Sequence, residues 1–214
     1  MTIDENHNLI VVKPKRRKDV VHLVGEVRNT LKIGEDVLYV DVLAVLEFML
    51  PSLFDDDITF SVPDEWYREE EAYYDTQKNV IYIRADVYDK AVAGDGRARF
   101  TVSHEMAHYI LFKRWGFPYS MPLNAIVGIS DATLKSMDPE WQANTFAGAF
   151  LCKQNIVQYM EVDDIAESCR VSKRAAQIAY WHSRGIPYRE SDFGDFVRWS
   201  YRFAMSGNVS LLWD

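Results

Sequence analysis

The chain has 214 residues, 48% hydrophobic and 26% charged, the balance of a globular protein with one sizeable core, alone or with a small appendage. A formal net charge of -8 argues against a generally nucleic-acid-binding surface and leaves room only for a local basic patch. Two cysteines, Cys152 and Cys169, allow at most one bridge, which excludes a disulfide scaffold and fits a reducing cytoplasm.

The opening stretch, "MTIDENHNLIVVKPKRRK", lacks an apolar run of signal-peptide length and closes on a basic cluster. A flexible basic leader over residues 1–18, solvated rather than bound, is expected. Val20, Val21, Val24, Val27 and Leu31 then recur at helical spacing, predicting an amphipathic helix over 19–33. After Gly34 a second, largely buried helix is expected over 37–50. Asp41 and Glu47 interrupt this most apolar window and rule it out as a membrane span, and Pro51 closes it. These readings predict a cytoplasmic protein without a membrane partner.

An acidic loop leads to a candidate strand at 58–62. Two β-rich runs, 72–74 and 80–83, flank the polar "DTQKN" and predict a hairpin. Gly94 and Gly96 precede a long helical pattern over about 97–113, and 116–137 reads as loop with short helical pieces. A further helix starts at Asp138, a capping residue, with Pro139 where a missing N–H does no harm and Glu140 at the positive end. "VDDIAESCRVSKRAAQIAYWHSRG" reads as two short helices joined at 169–171, with Ser172 capping the second. The aromatic stretch "YRESDFGDFVRWSYRFAMSGNVSLLWD" ends on a candidate strand and suggests no chemistry.

The chemistry sits in "FTVSHEMAHYILF". His104 and His108, four apart on a helix, stand on one face and aim both imidazoles at one point, a spacing suited to zinc. Glu105 lies about a hundred degrees round the helix, placed to take a proton from a water beside the metal. The competing reading is a core helix with two satisfied histidines. The motif arises by chance in roughly one such chain in a hundred, and buried neutral imidazoles need partners that a metal supplies, so the metal reading is preferred. A catalytic zinc takes a third protein ligand, and Asp131, Asp138, Glu140 and His182 are the candidates. Glu140 is favoured, because Ala143, Ala147, Gly148 and Ala149 would let its helix approach the histidine helix closely. Manganese is the alternative metal for two histidines and a carboxylate. Asn144, one turn after Glu140, is placed to orient a ligand. Tyr119, Tyr180 and His182 are candidate donors to an oxyanion, with no ground for choosing among them.

"RARFTVSHEMAHYIL" followed by "EWQANTFAGAFL" resembles the ImmA/IrrE metallopeptidase family, whose members pair an "RFTxxHExxHxxL" helix with a later "ExxANxFAxxLL" helix. The resemblance implies that His104, His108 and Glu140 are metal ligands and Glu105 the catalytic base. It spans residues 79–185, roughly half the chain, and "NVIYIRADV" is similar to the "xIxIN" strand often found before the histidine helix. The chain departs from the family in "FLCK", where a methionine–proline usually follows, and in "HEMAH" for the familiar "HELGH". Residues 1–18 and those beyond 185 have no counterpart.

The implied fold is α+β, a mostly helical zincin-like core with a small antiparallel sheet beside the histidine helix and a helix-turn-helix-like C-terminal segment. The expected division is a leader (1–18), a metallopeptidase domain (19–160), and the helix-turn-helix-like segment with its aromatic tail (161–214). The implied function is a zinc-dependent endopeptidase acting on a protein, a helix-turn-helix repressor encoded nearby, in stress or mobile-element regulation. Two alternatives use the same residues: a metal-stabilised regulator that binds protein or DNA without cleaving, and the toxin of a toxin–antitoxin pair. For residues 161–185 a packing or substrate-holding role is preferred to DNA contact, because the turn carries Arg170 instead of glycine and the preceding helix is acidic.

Overall fold

A computed structural model describes residues 3–186; the aromatic C-terminal stretch and its expected strand lie outside the described residues. The architecture is α+β, with helices gathered round a central pair and two small sheets at the margins.

Strand β1 (Leu9–Val11) comes first, followed by α1 (Arg17–Thr30), which buries Val20, Val24 and Val27 as their spacing predicts, with Leu23 in addition and Val21 only partly buried. The next helical stretch is capped by Asp41, whose carboxylate accepts from the Ala44 N–H. It begins as α2 (Val42–Ala44), widens to a π turn over Val45–Met49 and ends as a 3-10 turn over Leu50–Leu53. Proline accounts for this change of pitch. Pro51 offers no N–H and its ring crowds the carbonyl four residues back, and the wider turn, in which the Leu50 N–H donates to Val45 O, relieves that conflict. The helix therefore starts later than the expected 37–50 and continues past the proline.

Strands β2 (Thr59–Ser61), β3 (Ala72–Asp75) and β4 (Val80–Ile83) form a sheet in the order β2-β4-β3. β3 and β4 make the expected hairpin, in register from Ala72 opposite Ile83 to Asp75 opposite Val80. β2 runs parallel to β4, so the sheet is mixed and not the antiparallel one expected. β4, central in it, buries Ile81 and Ile83 completely, while β3 keeps one edge unpaired within the sheet.

Helix α3 (Ala85–Val92), unforeseen from the sequence, leads to α4 (Gly96–Trp115), which spans and slightly exceeds the predicted 97–113. Asp95 caps α4 by accepting from the Ala98 N–H, and Lys113 and Arg114 oppose the negative end of its dipole. Residues 116–137 carry the short helical pieces expected there and, beyond the expectation, a strand. They hold β5 (Tyr119–Met121), a 3-10 turn (Leu123–Ile126) and α5 (Asp131–Ser136).

Helix α6 (Pro139–Leu151) packs along α4 and α1, and its buried Ala143, Phe146 and Phe150 share one core cluster with Val102, Met106 and Ile110. Each large apolar side chain removed from water there contributes about 2 kcal/mol. Of the small residues expected to permit this approach, Ala143 and Ala147 lie fully buried, but a Cβ on Gly148 would meet open space. A separate close approach falls at Gly96 on α4, where a Cβ would stand 2.9 Å from Val171 Cα. After α7 (Gln154–Val157) the chain makes the expected helix–turn–helix, α8 (Val162–Cys169) and α9 (Lys173–Ser183). Ser172 accepts from the Ala175 N–H, and Arg170 supplies the left-handed turn (φ 47°) in place of glycine.

The expected flexible leader is the clearest correction. β1 pairs antiparallel with β5, Leu9 opposite Met121 and Val11 opposite Tyr119, and Leu9 and Val11 cluster with Met137. Beyond the strand, Val12 N and Lys15 N donate to Met137 O and Ser136 O, and Gln142 on α6 donates to Lys13 O at 2.9 Å. The basic cluster masked the apolar run Leu9–Val12, which is short enough to pass for tail.

Candidate metal centre

The α4–α6 contact ends in a polar cluster. His104 and His108, one turn apart on α4, face Glu140, held in the first turn of α6 by the Asp138 cap at 3.1 Å. His104 Nε2 lies 3.0 Å from His108 Nε2 and 3.1 Å from Glu140 Oε2, and His108 Nε2 lies 3.3 Å from Glu140 Oε1. The three groups form one metal-compatible cluster. Atoms bound to a tetrahedral zinc at 2.0–2.1 Å stand roughly 3.3–3.4 Å apart, close to the observed edges.

The donors' chemistry also fits a cation. His104 Nδ1–H donates to Asn144 Oδ1 at 3.1 Å, which in the neutral ring leaves Nε2 with a free lone pair. That lone pair faces a carboxylate oxygen and a second ring nitrogen, a convergence of acceptors that a divalent cation satisfies. His108 Nδ1 is buried without a hydrogen-bond partner, so its ring is oriented by packing, beside Phe112 at a 5.3 Å centroid distance.

The same electrostatics act on protons. Burial pulls the His104 pKa down, but the Glu140 hydrogen bond and the charges of Glu105 and Glu140 outweigh it and raise the value. For Glu140, burial raises the pKa while hydrogen bonds from both imidazoles bring it well below the usual carboxylate range. Its side chain is 46% exposed, so the cluster opens to solvent on that side. Glu105 is buried, and burial raises its pKa against the opposing pull of His108 and His104, to which the Tyr74 main chain of edge strand β3 adds. That main-chain influence had no sequence signal, because it depends on how β3 lies against α4.

The other candidates sit elsewhere. Asp138 is the cap of α6, Asp131 starts α5, and neither belongs to the cluster, nor does His182. His182 lies on α9, where burial and then the positive charges of Arg17 and Lys135 lower its pKa to about 4. Tyr180 is covered by the Arg184 guanidinium at 3.6 Å, and Tyr119 stands half-exposed on β5 opposite Val11. Asn144 takes the orienting position expected for it, its Oδ1 accepting from His104 Nδ1–H.

Among the described residues no helix is long and apolar enough to cross a membrane. No family model matches the chain, and no curated protein matches it. Among solved structures, a Mycobacterium tuberculosis transcriptional regulator is similar with a TM-score of 0.49 and 15% identity, over 74% of this chain and 45% of that chain. The chain thus spans less than half the length of that regulator.

Proposed function

We propose that the protein is a zinc-dependent endopeptidase with a zincin-like core, similar to the ImmA/IrrE metallopeptidases, acting on a helix-turn-helix repressor. The observation that carries this reading is the meeting of His104 Nε2, His108 Nε2 and a Glu140 oxygen at 3.0–3.3 Å, with the buried Glu105 carboxylate next in sequence. Zinc is the expected metal for this donor set, with manganese as the alternative. A cation held there supplies an acidified water and polarises a peptide carbonyl.

The chain's own residues do the rest. Glu105, with a pKa raised by burial, is a stronger base than a solvated carboxylate and passes the proton it takes to the leaving amine. Asn144 holds the His104 ring by its far nitrogen. The unpaired edge of β3, beside Glu105, offers main-chain groups to an extended segment of a protein substrate. The repressor as substrate rests on the family resemblance of the two motifs.

The test incubates zinc-loaded protein with the repressor encoded beside it and follows fragments by mass spectrometry. Cleavage by the native chain, lost by at least about a hundredfold in Glu105→Gln with zinc retained, is the expected result. Equal cleavage by the Glu105→Gln variant, or an intact repressor with the zinc-loaded native chain, would overturn the reading and favour a metal-stabilised binding module.

A further inference from the structure

Along α4 the two histidines belong to a longer stripe. Phe100, His104, His108 and Phe112 recur every four residues, and residues four apart on a helix stand one above the other. Their rings neighbour one another in turn. The centroids lie 6.4 Å apart between Phe100 and His104, 4.6 Å between the two imidazoles and 5.3 Å between His108 and Phe112. The metal-compatible pair is thus bracketed by a phenyl ring on each side.

A fifth ring extends the stripe past the end of the helix. Gly116, whose φ of 105° suits glycine, closes α4 with its N–H donating to Phe112 O at 2.8 Å. The residue after that turn, Phe117, lies 5.9 Å from Phe112, centroid to centroid. Phe112 and Phe100 are committed to the fold, the first buried in the main core and the second packed against it. Phe117 is 51% exposed and belongs to neither core cluster. The cations just before it, Lys113 and Arg114, are held by Asp56 and Glu26, so the surface it offers is apolar. Apolar area left open beside a few convergent polar groups is the composition of a ligand site, in which the apolar wall supplies affinity.

We propose that Phe117, backed by Phe112, is a specificity-determining residue that receives a large apolar side chain of the substrate, so that the bond at the metal cluster is flanked by an aromatic or long aliphatic residue. The inference rests on the endopeptidase reading for its substrate. Two ring contacts separate Phe117 from His108, and an extended chain advances about 3.3–3.6 Å per residue, so a side chain at or next to the bond meets this end of the stripe. Covering Phe117 removes from water a surface that the fold leaves open, which favours a large side chain over a small one. Aromatic side chains gain further from edge-to-face contact.

The test reads binding as well as turnover. The zinc-loaded full chain is titrated with two hydroxamates that chelate zinc through the same pair of oxygens, acetohydroxamate and 3-phenylpropionohydroxamate. The native chain is expected to bind the phenyl compound at least about tenfold more tightly. In Phe117→Ser that preference should shrink at least about threefold, with zinc affinity and the urea midpoint unchanged, and Phe117→Leu should keep most of it. Equal affinities in the native chain, or a preference that survives Phe117→Ser intact, would sink the proposal. Fragments of the repressor should map to a bond beside an aromatic or long aliphatic residue, and a bond with small or polar residues on both sides would also count against it. The two failures are separable, since equal hydroxamate affinities strike the Phe117 subsite alone and an intact repressor strikes the endopeptidase reading.

Discussion

His104 is gripped at both ends of its ring, by Asn144 at Nδ1 and by the cluster at Nε2. Asn144 is exposed on α6, so trimming it removes orientation and little packing. Asn144→Ala should weaken zinc binding about 10–100-fold with an unchanged unfolding midpoint in chelator. Competition against a chromophoric chelator measures the first quantity and urea unfolding the second. Unaltered zinc affinity would mean that packing alone fixes the His104 ring. The residues of this cluster were legible in the sequence because helical periodicity turns a four-residue spacing into a shared face. The pull of the Tyr74 main chain on Glu105 and the unpartnered His108 Nδ1 were not. Both depend on neighbours that no local pattern specifies.

At the scale of elements, α4 is the axis on which the rest is hung. Its N-terminus abuts the α8–α9 turn so closely that the Cβ of any residue at position 96 would meet Val171 Cα and Ser172 N at 2.9 and 3.0 Å. Arg99, one turn later, ties the carbonyls at the end of α8. The clash is with main chain, which cannot swing aside as a side chain does. Gly96→Ala is expected to destabilise the fold by about 1–3 kcal/mol, read as a lower urea midpoint, although alanine ordinarily favours a helix. A stabilised variant would show that the α8–α9 turn yields freely. The long helices α1, α4 and α6 were legible from periodicity and capping residues. α3 and β5 were not, being short and carrying signals no stronger than those of loops. The parallel pairing of β2 with β4 was also hidden, because strand pairing is a long-range property and alternation does not reveal direction.

Across the whole molecule, the N-terminal strand, the mixed sheet and the helix–turn–helix surround one α4–α6 axis, at whose solvent side three metal-compatible side chains meet. The leader was misjudged because its charges were read and its anchors were not. Gln142, Met137 and β5 lie more than a hundred residues away in sequence and bind its main chain, Gln142 through its side-chain amide and the others through main-chain hydrogen bonds. The central claim, that His104, His108 and Glu140 together hold one divalent cation, is tested most directly by zinc titration of the purified chain beside His104→Ala, His108→Ala and Glu140→Ala. One zinc per native chain, with affinity falling at least about tenfold in each variant, is the predicted result. A native chain that takes up no zinc, or three variants that bind it as the native chain does, would contradict the account.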